Sequence, residues 1–407
     1  MVISSSPLDS ENSVIYGLDY QARSLCAVGG GTDAERVQFL AGTQTLKTDQ
    51  TNQIYLIELN DDSNSVKRTQ FAHSTGEIWH LSAHPQDAAV CASCHSSVEQ
   101  NALTSGATVW RLRDVDADNG RLEALATFRA SGSETVTCFD WQPSTSDAGK
   151  AFVLHGRNEL TIVDARIDGG SLKQQSTGCI DARTSSRAVT ARWDPHQYSN
   201  VVAVALDANV RTIDIRTHKA AYSIESAHQL GVRSVDFNAN RQYTLATGGD
   251  DGKLRVWDVR QPTQPLLSVN AHSHWVCSAR YNPNHDQLLL SCSSDSQVRL
   301  HSVASCSSEQ LEDADEDECD ASSEQSDDDD RLGDGDTAGD DSQLAFSGGD
   351  HQRLPDALLR CYEEHEESVY SCEWSLADPW VFASLSYDGR VILNKVPKSI
   401  KYKILKL

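Results

Sequence analysis

No apolar run in the 407-residue chain approaches the roughly 18 residues that a membrane-spanning helix requires. The opening stretch Met1–Ser13 is short, polar and serine-rich, without the charged start and apolar core of a secretory signal. A cytosolic location is therefore expected. Basic residues are scarce: 35 Lys and Arg stand against 59 Asp and Glu, a formal net charge of −24. An acidic surface repels phosphate backbones, which excludes nucleic acid as a direct partner. No basic amphipathic segment offers attachment to a membrane, so direct insertion is excluded as well. The eleven cysteines are too sparse for a disulfide scaffold. Several, such as Cys138, Cys277, Cys292 and Cys372, alternate with apolar residues in strand-like runs. In a reducing compartment they read as small buried hydrophobes.

What the chain does have is unevenly placed. Between Glu309 and Asp341 stand 17 acidic residues and one basic residue, Arg331, which leaves only −8 of the net charge for all other positions. The stretch from about Ser307 to Asp350 is acidic and serine-rich, with no aromatic before Phe346, the composition of a disordered insertion. Elsewhere an apolar fraction of 39% is enough to build a buried core.

Self-similarity organises that remainder. Ala227–Arg260 aligns with Ala271–Val303 at a constant shift of 44 residues, pairing His228 with His272, Val232 with Val276 and Asp251 with Asp295. The stretch from His365 to Leu393 repeats the internal spacing, and in all three copies the His lies 23 residues before the Asp, ending at Asp388 in the last. Each copy holds short β-rich runs parted by turn residues, with Asp251-Gly252 a strong tight-turn signal. Four antiparallel strands in about 40–45 residues are the signature of a propeller blade. A hydrophobic residue five positions before an aromatic or small apolar one marks a first strand at Ile15/Tyr20, Ile78/Ala83, Val136/Trp141, Ala188/Trp193, Val232/Phe237, Val276/Tyr281 and Val369/Trp374. These seven pairs predict an all-β fold: one seven-bladed propeller over residues 14–407, a disordered N-terminus over 1–13, and an acidic insertion at 307–350 inside blade six.

The residues above resemble the WD-repeat superfamily. In that family a His before the first strand, a Ser or Thr on the second, the turn Asp and a third-strand Trp share one hydrogen-bonded network, which His228, Thr247, Asp251 and Trp257 would form here. His272 with Asp295 and His365 with Asp388 would begin the same network in blades six and seven. A hydrolase reading of His, hydroxyl and Asp is rejected because the group recurs from blade to blade, whereas a nucleophile is needed once. Where His301, Asn394, Ile213 and Val163 replace the Trp, more reliance on apolar packing is expected. Trp110 survives in blade two, which lacks the turn Asp.

Four longer stretches, Val14–Leu25, Gly76–Ala83, His272–Leu300 and Ser368–Leu405, resemble a narrower family: WD-repeat proteins that interact with the EARP and GARP vesicle-tethering complexes. That resemblance implies a non-enzymatic scaffold in endosomal recycling, retrograde transport to the trans-Golgi network and dense-core vesicle cargo sorting. It would be held on those membranes peripherally, through its partners. Neither catalytic residues nor a cofactor or metal come with it, and a monomeric propeller is expected.

Other motifs are weaker. Cys91-Ala-Ser-Cys94-His95 matches the C-x-x-C-H pattern of covalent haem attachment, but that chemistry needs export, and the two cysteines read as second-strand residues. Zinc lacks a second Cys or His pair nearby in sequence. Asp164-Ala165-Arg166, Asp214-Ile215-Arg216 and Asp258-Val259-Arg260 close three successive third strands. The last, preceded by Trp257, resembles the W-D-x-R motif of cullin-4 ubiquitin-ligase substrate receptors. Arg260 would then meet a ligase adaptor; the alternative is an ion pair within the blade. Trp275 and Trp79 are the candidate partner-binding aromatics, whereas Trp257 and Trp374 are assigned to core. Ser326, before Asp327–Asp330, is a candidate phosphosite that would sharpen the acidic segment's charge. The Lys–apolar alternation of Lys398–Leu407 predicts a final fourth strand, leaving the ring to close by face packing without strand exchange.

Overall fold

The computed structural model describes residues 13–29, 36–45, 47, 50–60, 65–99, 102–130, 134–143, 149–165, 172–180, 186–196, 200–308 and 354–406. Residues 1–12, Arg166 and the acidic stretch 309–353, with Ser326 in it, lie outside the described residues.

A short leading strand, β1 (Val14–Gly17), precedes a run of strand quartets. The first two quartets are β2 (Ala22–Val28), β3 (Val37–Thr43), β4 (Asn52–Asn60), β5 (Ser65–His73), then β6 (Glu77–Ala83), β7 (Val90–Glu99), β8 (Ala102–Arg113), β9 (Asn119–Arg129). Next come β10 (Val136–Trp141), β11 (Lys150–His155), β12 (Glu159–Asp164), β13 (Lys173–Cys179), and β14 (Ala188–Trp193), β15 (Val201–Leu206), β16 (Asn209–Asp214), β17 (Lys219–Ile224). They are followed by β18 (Val232–Phe237), β19 (Thr244–Gly249), β20 (Lys253–Asp258), β21 (Leu267–Asn270), and β22 (Val276–Tyr281), β23 (Leu288–Ser293), β24 (Val298–Ser302), β25 (Ala357–Tyr362). The chain finishes with β26 (Val369–Trp374), β27 (Val381–Ser386), β28 (Arg390–Lys395) and a helix, α1 (Lys398–Ile404).

Consecutive strands pair antiparallel into four-stranded sheets, and the quartets β2–β5 and β6–β9 join edge to edge through a short parallel contact, Gln70 opposite Asn119 and Phe71 opposite Gly120. The leading strand of each quartet touches the next, in the cycle β2, β6, β10, β14, β18, β22, β26 and back to β2. The molecule is a β-propeller. Its second strands, such as β15 (VVAVAL) and β23 (LLLSCS), are buried along their whole length because sheets cover both faces, whereas outer strands such as β13 are mostly exposed.

The core lies between neighbouring sheets. Cys138, Phe152 and Leu154 of one sheet meet Ala191, Trp193 and Val202 of the next in one buried cluster. The tryptophans ending the inner strands also stitch the sheets by their ring N–H groups: Trp141 donates to the Ser82 carbonyl at 3.3 Å, Trp193 to Asp140 at 3.1 Å and Trp374 to Arg280 at 3.1 Å. Truncating such a ring to Ala costs roughly 3–5 kcal/mol.

Three expectations are corrected. β1 does not open the first sheet; it is the outer strand of the last, running Val14–Gly17 against Leu393–Arg390 of β28. The Ile15/Tyr20 pair is therefore not a first-strand marker, and β2 fills that place. The ring consequently closes by strand exchange: Leu18 N–H donates to the Gly389 carbonyl at 2.8 Å and Ala22 N–H to Tyr387 at 3.2 Å. Gly389 has φ +84°, and a Cβ there would stand 2.3 Å from the Tyr20 carbonyl, so the approach needs glycine. Finally, Lys398–Ile404 is a helix, not a strand. β1 already holds the edge that a fourth strand would take, and Ile400 and Ile404, four apart, lie on one helical face against the cluster of Trp380 and Val396. Lys401 and Lys403 fall in the last turn, where the helix dipole favours cations.

Deleting residues 1–17 exposes the free edge of β28. The expected result, read by hydrogen-exchange mass spectrometry, is at least about tenfold faster exchange over Arg390–Lys395 with β18–β21 less affected. Unchanged protection of β28 counts against closure by exchange.

Candidate interaction surface at the channel mouth

One hydrogen-bonded chain holds the loop before β18 on its own sheet. The Trp257 ring N–H donates to the Thr247 hydroxyl at 2.9 Å, that hydroxyl meets His228 Nε2 at 2.9 Å, and His228 Nδ1 meets the Asp251 carboxylate at 2.7 Å. The β22–β25 sheet builds the same chain with His272, Ser291 and Asp295, and His301 takes the Trp position by meeting Ser291 Oγ at 3.1 Å. The polar link survives there, contrary to the expected dependence on apolar packing. Around His365 the carboxylate is reached by relay: Nδ1 meets Ser386 Oγ at 2.9 Å, and Ser386 donates to Asp388 at 2.5 Å. A further copy carries no turn Asp. His73 meets Ser93 Oγ at 2.9 Å, Trp110 donates to the same hydroxyl at 2.8 Å, and the Gly76 carbonyl at 3.0 Å stands where a carboxylate would. Because a backbone atom replaces the Asp, no side-chain spacing marked His73 in the sequence.

With the loops fixed, every inner strand is bulged at the same place. The register slips between Ala22/Ser24, Ile78/His80, Val136/Cys138, Ala188/Thr190, Val232/Ser234, Val276/Ser278 and Val369/Ser371. The unpaired residues are Arg23, Trp79, Thr137, Val189, Arg233, Cys277 and Tyr370. A bulge re-aims the side chain it carries. All of these except Thr137 line the mouth of a central channel of about 480 Å³. Arginines and aromatics interleave there: the Arg23 guanidinium lies 4.5 Å from the Tyr370 ring centre and 5.6 Å from that of Trp79, and Arg233 lies 4.2 Å from Trp275.

Three residues deeper, the same strands present Asp140, Arg192, Asp236, Arg280 and Glu373 to the channel. Arg192 pairs with Glu373 at 3.2 Å and Asp140 at 3.6 Å, and Arg280 pairs with Glu373 at 2.8 Å, so ion pairs bridge the waist between sheets distant in sequence. Burial pushes the Asp140 and Asp236 carboxyls above their usual range. Burial also opposes the Arg192 charge, but Asp140 and Glu373 outweigh it and hold the guanidinium protonated.

Trp79 and Trp275 thus stand at one rim, 39% and 41% exposed, though not at equivalent positions: Trp79 is the bulged residue and Trp275 immediately precedes β22. Trp257 and Trp374 are core. Arg260 is elsewhere. Its guanidinium forks onto Asp258 at 2.7 and 3.0 Å and stacks over Tyr243 at 4.7 Å. Cys91 and Cys94 are buried on β7, where burial raises both thiols out of the reactive range. Arg233 and Tyr370 went unnoticed in the sequence, although each directly follows the apolar landmark of its first strand, and Arg23 was hidden because the Ile15/Tyr20 pair misplaced the first strand of its sheet.

Comparison with known proteins places this geometry. The sequence pattern of one family, described as EIPR1 beta-propeller, matches residues 10–301, and that of the WD domain, G-beta repeat, matches residues 356–393. The chain belongs to the EIPR1 β-propeller family. EARP and GARP complex-interacting protein 1 of Homo sapiens is 36% identical over 410 residues, covering 98% of this chain and all of that protein. EARP-interacting protein 1 of Caenorhabditis elegans is 32% identical over 97% of the chain and 99% of its own length. WD repeat-containing protein DWA2 of Arabidopsis thaliana is 29% identical over 94% and 95%.

In this EIPR1-family propeller the networks carry a pH dependence. Burial lowers His73 to about 3, with His95 adding to the shift, and lowers His301 to about 3 and His365 to about 4. These folded-state values lie below the unfolded value, so acid protonates the unfolded chain first and stability falls as pH drops from 6.5 toward 3. Burial alone would raise Asp295, but hydrogen bonding to His272 holds it well below the usual range, so it too loses stability in acid. The raised Asp140 and Asp236 act in the opposite sense, nearer their own titration. At pH 5 each of the three histidines contributes a loss of about 2 kcal/mol. Thermal melts should show a lower transition at pH 5 than at pH 7, less so in His301→Gln; a flat profile contradicts the assignment.

Thr247→Val leaves the Trp257 N–H and His228 Nε2 without their shared partner. Chemical denaturation should register a loss of roughly 2–4 kcal/mol. Arg260→Ala, which removes an exposed pair, should leave the denaturation midpoint close to that of the unaltered chain.

Proposed function

We propose that this chain is a seven-bladed propeller without catalytic activity that docks EARP- and GARP-type vesicle-tethering complexes through the mouth of its channel. The observation that carries the reading is the interleaved rim of Trp79, Arg23, Tyr370, Arg233 and Trp275. Tryptophan, tyrosine and arginine are the side chains most often responsible for binding energy at interfaces. Here the bulges hold four of them, and the lead-in to β22 the fifth, partly exposed on the ring, so little conformational entropy is lost on binding. The names of the relatives support the choice of partner, and their similarity extends along nearly the whole chain. The seven inner strands of the contact cycle support the count of seven blades.

In this reading the protein is recruited to endosomes and the trans-Golgi network by its partners and serves endosomal recycling, retrograde transport and dense-core vesicle cargo sorting. The acidic segment follows Ser308, which lies by the ends of the inner strands opposite the aromatic rim. Ser308, the last described residue before it, bonds to Asp286 in the β22–β23 connection through its N–H at 2.6 Å and its hydroxyl at 2.9 Å. A charge-tunable segment with Ser326 as phosphosite would then act away from the aromatic rim.

Affinity purification from cytosol tests the docking surface. Joint replacement Trp79→Ala/Trp275→Ala should lower tether recovery at least about tenfold, with Leu358→Ser on the outer strand β25 as a neutral control. Undiminished recovery with a folded double variant overturns the reading.

A further inference from the structure

The β10–β13 sheet has no His–carboxylate hydrogen bond holding the approach to its first strand, among the described residues. In its place three side chains converge. Glu134 stands just before β10, His155 ends β11 and Glu159 begins β12, and one donor atom from each lies within 4.8 Å of the others. The His155 side chain is only 8% exposed, and its Nδ1 is buried without a hydrogen-bond partner. That nitrogen faces Glu134 Oε2 at 3.5 Å and Glu159 Oε2 at 3.7 Å.

Those separations discriminate. A protonated Nδ1 would draw a carboxylate into a charge-assisted bond of about 2.7–2.9 Å. A bare Nδ1 would set its lone pair against two negative charges. Donors sharing one tetrahedral cation at bond lengths of about 2.0–2.2 Å stand about 3.3–3.6 Å apart, a range that holds the Glu134 separation and ends just short of the Glu159 one. The ring is also prepared for a ligand's role: Nε2 meets Thr161 Oγ1 at 2.8 Å, Thr161 in turn meets Thr177 Oγ1 at 2.9 Å, and the Phe128 ring packs at 5.2 Å. An outer partner on the second ring nitrogen fixes the orientation of metal-bound histidines in this manner.

We propose that Glu134, His155 and Glu159 bind a first-row divalent transition-metal ion, zinc foremost, leaving a fourth position for water. One imidazole with two carboxylates favours such an ion over calcium or magnesium, whose ligands are oxygen alone. Both carboxylates are partly exposed, so an ion enters from solvent and the acids close on it. The ion joins the lead-in to β10 with the β11–β12 turn, the two parts that His228 and Asp251 join in the β18–β21 sheet.

The test uses the full chain, stripped with chelator and titrated with zinc chloride by calorimetry, in parallel with cobalt(II) followed by absorption. Expected are one equivalent of zinc, a higher melting temperature with zinc than with chelator, and a cobalt spectrum free of sulfur-to-metal charge transfer. His155→Gln and Glu159→Gln should each weaken zinc binding at least about tenfold while melting like the stripped wild type. No zinc-dependent stabilisation, wild-type affinity in either variant, or a thiolate band from a cysteine such as Cys179 overturns the site. The cobalt spectrum of the unaltered chain decides the matter even where a variant fails to fold.

Discussion

A sheet that curls into a ring has two ends, and this structure depends on how they are joined. β1 lies against β28, so the strand that begins the described chain completes the sheet that ends it. Had β28 been left open, it would present a row of unpaired backbone groups, the feature that drives strands to aggregate. The junction also ties residues far apart in sequence, so opening the ring breaks the β1–β28 ladder and the β2–β26 face contact together. The waist adds a second circumferential link: Arg192 and Glu373 meet across the channel from strands 181 residues apart.

The bulges convert this closed scaffold into a surface. A regular strand would point the residue after each buried landmark back along the sheet face. The slipped register frees that residue from pairing and turns it toward the channel mouth. Since the slip occurs on every inner strand, side chains of unrelated sequence context meet on one rim. Their chemistry is not symmetric: Arg23, Trp79, Tyr370, Arg233 and Trp275 cluster there, while Thr137 and Val189 occupy other places on the ring. A rim of this kind distinguishes one partner orientation from another.

The repeat was legible because its determinants are local. A strand's alternation, an Asp-Gly turn and a His 23 residues before an Asp each lie inside one unit, and they located most inner strands. Legibility failed where a choice was made between units. Ile15 and Tyr20 matched the spacing of a first strand, yet Ile15 lies on the strand that pairs with β28 and Tyr20 lies beyond its end. Lys398–Leu407 alternated like a strand, but the edge it would have filled was taken, and the same residues put Ile400 and Ile404 on one face of a helix. His73 was missed because a carbonyl stands in for the expected carboxylate.

Sequence alone determined the fold class, the quartet period and the buried landmarks of six inner strands, since hydrophobic spacing and turn chemistry act within a few residues of the chain. Tertiary structure decided the closure, the membership of the channel rim and the convergence of Glu134, His155 and Glu159. Closure and the rim rest on pairings between distant segments, whereas the cluster forms inside one sheet, where the hairpin register sets which side chains meet.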